Sequence, residues 1–268
     1  TACVLEASAE KPGNVTPTRR FGDMSHLDFM LSALAIGPAM AHAGQATVGQ
    51  TILAAVRATH QRVKANTNLG IVLLFAPLAR AVLLPEVLTL RERLSIVLHA
   101  LTIDDAGLAF EAIRLAHPGG LDSAPEGDVN NGPPTMTLRS AMQLAADRDS
   151  IASEYVTDYA IVFKIALPAL RAARAQGAAA RSQRDAALDP IVRAYLAVLA
   201  AVPDTLIARK RGMEAARDVS ARAAEVLALG ADQTEAGRGA LGAFDVFLRS
   251  DGNRLNPGTT ADLIAATL

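Results

Sequence analysis

Lys11, Arg19, Arg20, Arg209, Lys210 and Arg211, with Asp23, Asp28, Asp204 and Asp262, lie inside or beside short polar clusters that also carry Gly or Pro. The clusters are Lys11 to Val15, Arg19 to Asp23, Asn66 to Gly70, Pro203 to Gly212 and Asn256 to Asp262. Mg²⁺ is a hard cation held by carboxylate and phosphate oxygens, and Lys or Arg neutralises the remaining phosphate charge. Cations among carboxylates therefore suit a magnesium polyphosphate. The same residue types serve as helix caps and solvated surface groups, and for each residue taken singly that alternative stays open.

Other chemistries lack their signatures. There is no Gly-x-x-x-x-Gly-Lys-Ser/Thr loop, no dinucleotide glycine fingerprint after a strand, and no Gly-x-Ser-x-Gly elbow. His26, His42, His60, His99 and His117 show no metal-ligand spacing and no Cys partner, which argues against zinc. Cys3 is the single cysteine, expected to be an inert buried thiol and compatible with a reducing compartment. A net charge of -1, no Trp and no basic block argue against an extended nucleic-acid groove. Thr1 to Lys11 carries Glu6 and Glu10 without a basic start, so no signal peptide is expected. Gly70 to Leu84 is shorter than the roughly 20 residues a bilayer requires and contains Pro77 and Arg80. The expectation is a cytoplasmic protein with no membrane or nucleic-acid partner, and a homo-oligomer is compatible with it.

The elements that must position these clusters are helices. Asn66-Thr67-Asn68 leads into Leu69-Gly70 and a nearly continuous apolar run to Leu84, which predicts a buried central helix with a polar mouth. A helix start offers free N–H groups and favours an anion. Around it, Ser25 to Met40 predicts a helix kinked at Gly37-Pro38, and Thr47 caps a helix with Ile52, Val56, Thr59 and Val63 on one face. Leu88 to Leu101 and Ile103 to His117 follow, the latter opened by Thr102-x-x-Asp105. Then come Thr137 to Ala175 with a break near Asp147 to Ser150, Pro190 to Val202, Met213 to Leu229, Glu235 to Arg249 and a last helix after Asn256-Pro257-Gly258. His117 to Thr135 reads as one long loop, and Ala178 to Ala187 as a solvated connection. No stretch alternates with period two, and no linker or repeat is visible. The prediction is an all-α, single-domain bundle of about ten helices over residues 1–268.

Lys11-Pro12-Gly13-Asn14-Val15, Asp23-Met24, Asn66-Thr67-Asn68-Leu69-Gly70, Asp204-Thr205 with Arg209-Lys210-Arg211-Gly212, and Asn256-Pro257-Gly258 with Ala261-Asp262-Leu263 resemble, in order, the motifs of the triphosphoribosyl-dephospho-coenzyme A synthase family. The resemblance implies a helical enzyme that takes the 5-triphosphoribosyl group of ATP, releases adenine, and passes the group to a ribose hydroxyl of dephospho-coenzyme A. It implies Mg²⁺ as cofactor. Lys11, Arg209 and Lys210 are expected at phosphates, with Gly13, Asn14 and Thr67 in the same nucleotide-binding set. Asp23 and Asp204 are expected at Mg²⁺ or the developing cation, as the catalytic carboxylates. Asn66 and Asn68 are expected to orient ribose or phosphate.

The departures concern the acceptor. Asn68-Leu69 stands where the citrate-lyase type has His-Lys, Val202-Pro203 where it has Asn-Gly, and Arg209-Lys210-Arg211-Gly212 where it has Ser-Arg-Gly-Gly. Ala146-Asp147-Arg148-Asp149 replaces an Ala-Arg-Gly-Glu stretch. The chain looks more like the branch found in methanogens and methylotrophs, which implies another ribosyl acceptor as an alternative. Two further readings use the same residues: an ADP-ribosylglycohydrolase-like hydrolase built on Asp204-Thr205 and Mg²⁺, and a nucleotide-binding protein without catalysis.

Overall fold

A computed structural model of the chain describes residues 1–118, 129, 132–176 and 183–268. Among them there is no strand, only an antiparallel bridge between Thr16 and Arg19. In chain order the helices are α1 (Ala2–Ser8), α2 (His26–Ala35), α3 (Gly37–Ala41), α4 (Val48–His60), α5 (Leu69–Val82), α6 (Leu90–His99), α7 (Ile103–Ala116), α8 (Leu138–Ala145), α9 (Ser150–Thr157), α10 (Leu167–Gln176), α11 (Gln183–Ala201), α12 (Thr205–Arg211), α13 (Met213–Ala228), α14 (Glu235–Arg249) and α15 (Gly258–Thr267). A π-helical turn, Val162–Ala166, precedes α10. The all-α expectation is borne out. The helices are more numerous than predicted because prolines and left-handed residues cut the longer runs.

The chain divides into two compact units, Thr1–His26 with Ile161–Leu268, and Leu27–Ala160. One boundary falls inside α2 and the other directly before the π-helical turn. Neither is marked by a change of composition, which is why a search for linkers finds a single domain.

In the unit Leu27–Ala160, α5 buries Leu69, Ile71, Val72, Leu73, Leu74, Ala76, Pro77 and Ala81 and packs on α4, α6 and α9. Pro77 has no N–H for the Leu73 carbonyl one turn back. The buried Tyr155 hydroxyl donates to that carbonyl at 2.6 Å, and Tyr159 donates to the Leu74 carbonyl at 2.8 Å. Burial pushes both phenols well above their usual range, so they remain donors. Asp158 and Tyr159 have φ of 52° and 57°, which ends α9 and interrupts the run predicted to continue to Ala175. Capping boxes open α4 (Thr47 with Gln50), α6 (Thr89 with Glu92) and α7 (Thr102 with Asp105).

In the other unit the core helix is α11, where Ile191, Ala194, Tyr195, Leu196, Val198 and Leu199 have no exposed surface. Each buried Leu or Ile stabilises by roughly 1.5–3 kcal/mol. Helices α1, α10, α13 and α15 pack on α11. The apolar helix predicted as the centre of the chain thus centres one unit, and α11 does the same for the other. Residues 119–128, 130 and 131 of the predicted long loop and 178–182 of the predicted connection lie outside the described residues, while 183–187 form the first turns of α11. Among the described residues no single helix is long and apolar enough to cross a membrane.

Candidate functional site

The Lys11-Pro12-Gly13-Asn14 turn follows α1, and most of its polar groups already have partners. Lys11 is 1% exposed, its Nζ 3.0 Å from Glu6 Oε1, donating to the Glu6 carbonyl and, at 3.3 Å, to the Ala9 carbonyl. With its three protons so engaged, Lys11 has no donor left for the phosphate contact expected of it. Gly13 has φ of 74°, and a Cβ there would lie 2.7 Å from Leu248 Cδ1. Its N–H donates to Asp245 Oδ1 at 2.8 Å. Asn14 Nδ2 donates to Tyr195 Oη at 2.8 Å, and the Asn14 carbonyl accepts from Arg249 Nη2 at 2.6 Å. Tyr195 in turn donates to the Pro12 carbonyl at 2.9 Å, its phenol kept protonated by burial and by the charges of Asp204 and Glu6. Gly13 and Asn14, expected at the nucleotide, fasten this turn to α11 and α14.

Asp204 opens α12. Its Oδ1 accepts from the Leu206 and Ile207 N–H groups at 2.9 and 3.1 Å, and its Oδ2 from Thr260 N and Oγ1 at 2.7 and 2.8 Å. The carboxylate is 2% exposed. Burial raises its pKa and the four hydrogen bonds oppose that rise. Thr205 Oγ1 donates to Thr259 Oγ1 at 3.3 Å. Asp204 therefore caps one helix and grips the first turn of another, α15, with both oxygens.

The last turn of α12 carries the cations. Arg211 pairs with Asp251 at 2.8 Å. Lys210 is exposed and makes no hydrogen bond or ion pair with the described residues. Its ammonium pKa is lowered, first by partial desolvation and then by Arg209, against the pull of Asp204 and Asp23. Those four groups thus share one neighbourhood. Asp23 is exposed, within a turn closed by Phe21 N donating to Met24 O at 2.9 Å.

Magnesium can be tested against these donors. Asp204, expected as a metal ligand, does not fit, because a cation would have to displace four hydrogen bonds from a sealed carboxylate. No group of three or more His, Cys, Asp or Glu that could hold a metal occurs among the described residues. Asp23 retains an open carboxylate, which suits a cation brought in on phosphate oxygens.

Asn66 to Gly70 belongs to the unit Leu27–Ala160 and opens α5. Asn66 Oδ1 accepts from Leu69 N at 3.2 Å, Thr67 Oγ1 lies 2.5 Å from Ser32 Oγ, and Asn68 Nδ2 donates to Thr59 Oγ1 at 3.1 Å. Thr67 and Asn68 are buried, and Asn66 is exposed. Asn68 Oδ1 has no hydrogen-bond partner among the described residues.

Several residues of the first unit escape a reading by motif. Glu6 neutralises Lys11, and Asp245 with Arg249 holds the Gly13-Asn14 backbone through an ion pair of 2.8 Å. Asp245 and Arg249 are visible in sequence as an i,i+4 pair on a helix. Nothing in that spacing reveals that the pair faces a turn more than two hundred residues away.

The chain is thus an all-α protein whose motif turns are fastened by hydrogen bonds to its helices. The sequence matches over residues 1–268 the family described as CitG, ATP:dephospho-CoA triphosphoribosyl transferase, and the chain belongs to that family. It is 36% identical over 107 residues to the 2-(5''-triphosphoribosyl)-3'-dephosphocoenzyme-A synthase of Klebsiella pneumoniae, covering 40% of this chain and 35% of that protein. The match thus spans about a third of the length of that relative. A crystal structure from Archaeoglobus fulgidus, described provisionally as a triphosphoribosyl-dephospho-coA synthase, superposes with a TM-score of 0.65 at 24% identity, over 89% of this chain and 95% of that one. That likeness establishes the fold.

Proposed function

We propose that this protein transfers the 5-triphosphoribosyl group of ATP to a ribose hydroxyl of dephospho-coenzyme A or a related acceptor, releasing adenine. The observation that supports this most is the family match along all 268 residues. The cationic end of α12 agrees with it: Lys210, without a hydrogen bond or ion pair among the described residues, and Arg209 beside it would meet the triphosphate. Cleavage of the N-glycosidic bond builds positive charge at the anomeric carbon, and a carboxylate near that carbon lowers the barrier. Asp23 fills that role better than Asp204, whose oxygens are spent on α12 and α15. Asp204 then positions the first turns of both helices. Mg²⁺, when bound with ATP, would neutralise phosphate oxygens, with Asp23 as the protein ligand. The hydrolase reading rested on Asp204-Thr205, and both side chains are engaged between helices.

Mass spectrometry of the products from ATP, Mg²⁺ and dephospho-coenzyme A tests the proposal. Adenine with a triphosphoribosylated acceptor is the expected outcome. Adenine with free triphosphoribose would mean hydrolysis, and no adenine with any ribosyl acceptor would sink ribosyl transfer from ATP.

A further inference from the structure

Helix α15 begins at Gly258 after Pro257, with no side chain capping it from the N-cap position. Three N–H groups of its first turn need acceptors. Gly258 N donates to the Asn256 carbonyl at 2.9 Å, and Thr260 N donates to Asp204 at 2.7 Å. Thr259 N–H has no acceptor among the described residues.

Directly before this turn stands a second group in the same condition. Asn256 is 8% exposed, and its carboxamide makes no hydrogen bond with the described residues. Neither of its polar atoms is among the sealed, partnerless ones of the chain, so each keeps some access to solvent. Its Oδ1 lies 3.0 Å from the point where a Cβ on Gly258 would sit, so the carboxamide is aimed at the start of α15. A buried amide normally finds partners within the protein, because leaving one unpaired costs about 1–3 kcal/mol. One that stays unpaired beside a free helix N–H and is reached by solvent is placed for a ligand.

The surroundings say which kind. Leu206 Cδ2 lies 2.6 Å from the same Gly258 Cβ position, so α12 runs alongside, and Lys210 follows Leu206 by one helical turn on that face. Asp204, which grips Thr260 in the same turn, has its charge covered by four donors. A backbone N–H at a helix start, the Nδ2 donor of a carboxamide and an ammonium together select an anion.

We propose that Asn256 and the Thr259 N–H, with Lys210 alongside, form a subsite for a phosphate group of the nucleotide. This deepens the reading given under Proposed function and rests on it for the identity of the nucleotide. A side chain at Gly258 would push against the Leu206 and Asn256 side chains.

The test is titration calorimetry of the full chain with inorganic triphosphate, with adenine release measured separately. Hydrogen bonds to charged groups lead us to expect about a tenfold loss of affinity in Asn256→Ala, and a larger one in Asn256→Asp, which adds repulsion. Neither variant loses an internal hydrogen bond, so unfolding temperatures should stay near that of the parent. Independently of any variant, saturating the ¹⁵N-labelled parent with triphosphate should shift the Thr259 amide and Asn256 side-chain resonances. Unchanged affinity in both variants, unmoved resonances at saturation, or no binding of triphosphate by the parent would each overturn the subsite. Binding that responds as expected in a protein that releases no adenine would leave the subsite standing and overturn the proposed transfer.

Discussion

Asp204 and Thr260 are joined twice, the backbone N–H and the hydroxyl of the threonine both donating to one carboxylate oxygen, at 2.7 and 2.8 Å. The other oxygen caps α12 through Leu206 and Ile207. Asp204→Ala removes acceptors from four donors in a sealed site. It should lower the unfolding free energy by about 2–4 kcal/mol, as read from urea denaturation. A variant with the parent's stability and no adenine release would instead return Asp204 to catalysis.

Lys11 and Glu6 form an ion pair with almost no solvent access. Breaking such a pair strands a charge and typically costs 3–5 kcal/mol, whereas replacing both partners by apolar groups is far cheaper. Lys11→Met should therefore destabilise strongly, and Glu6→Leu in the same chain should recover most of the loss, a non-additivity that a double-mutant cycle measures. If Lys11→Met left stability intact and raised only the KM for ATP, the phosphate role would be restored to it.

The fold class, the capping boxes at Thr47 and Thr102 and the buried apolar run of α5 were legible because each depends on local spacing. The clusters were legible as places, since Gly13 and Gly212 with positive φ must interrupt regular structure. Roles within them were not. A lysine that neutralises Glu6 and a lysine that meets solvent read alike in sequence, and only the packing of α1 separates Lys11 from Lys210. Asn256 was part of a recognised motif, yet what distinguishes it, a buried amide without a partner, is a property of tertiary structure. The break at Asp158 and Tyr159 was hidden for a related reason: neither is a Gly, and the left-handed turn is held by the tyrosine's bond to α5.

Asp105 is the counterpart of Asp204 in the other unit, accepting from Gly49 N at 2.7 Å and from Thr102 N and Oγ1 at 2.9 and 2.8 Å. Burial would raise its pKa, but these hydrogen bonds outweigh burial and hold it below the ordinary 3.8. A carboxylate depressed in the folded state contributes stability that is fully present above its unfolded pKa and is lost as pH falls through its folded pKa. The stability gap between the parent and Asp105→Asn, followed by urea unfolding, should therefore be constant near neutrality and shrink only below about pH 3.8. A gap that narrows as pH rises would show that the sign is wrong.

Tyr155 supplies the donor that Pro77 withholds from the Leu73 carbonyl. Tyr155→Phe leaves that carbonyl buried and unpaired, and should cost about 1–3 kcal/mol. Adding Pro77→Ala supplies a backbone N–H one turn from Leu73 and should return part of the loss, although the same change in the parent has no carbonyl to rescue. Thermal unfolding of the four proteins gives the coupling. Strict additivity would mean that the tyrosine does not compensate the proline.

Unlike Lys11 and Arg211, Lys210 makes no hydrogen bond or ion pair among the described residues, and its pKa is drawn down by desolvation and by Arg209. Lys210→Ala should leave the unfolding temperature unchanged, because no internal bond is lost. It should weaken ATP binding by about tenfold, within the range for a charge-assisted contact to phosphate, and make the remaining affinity less sensitive to salt. The lowered pKa adds a second test. An ammonium depressed below 10.5 loses its charge at a lower pH than a free lysine, so ATP affinity in the parent should begin to decline on the alkaline side before pH 10.5. Lys210→Arg keeps its charge through that range and should remove the decline, even if its planar head binds phosphate with altered affinity. An alkaline decline that persists unchanged in Lys210→Arg would assign it to another group and take Lys210 out of the phosphate site.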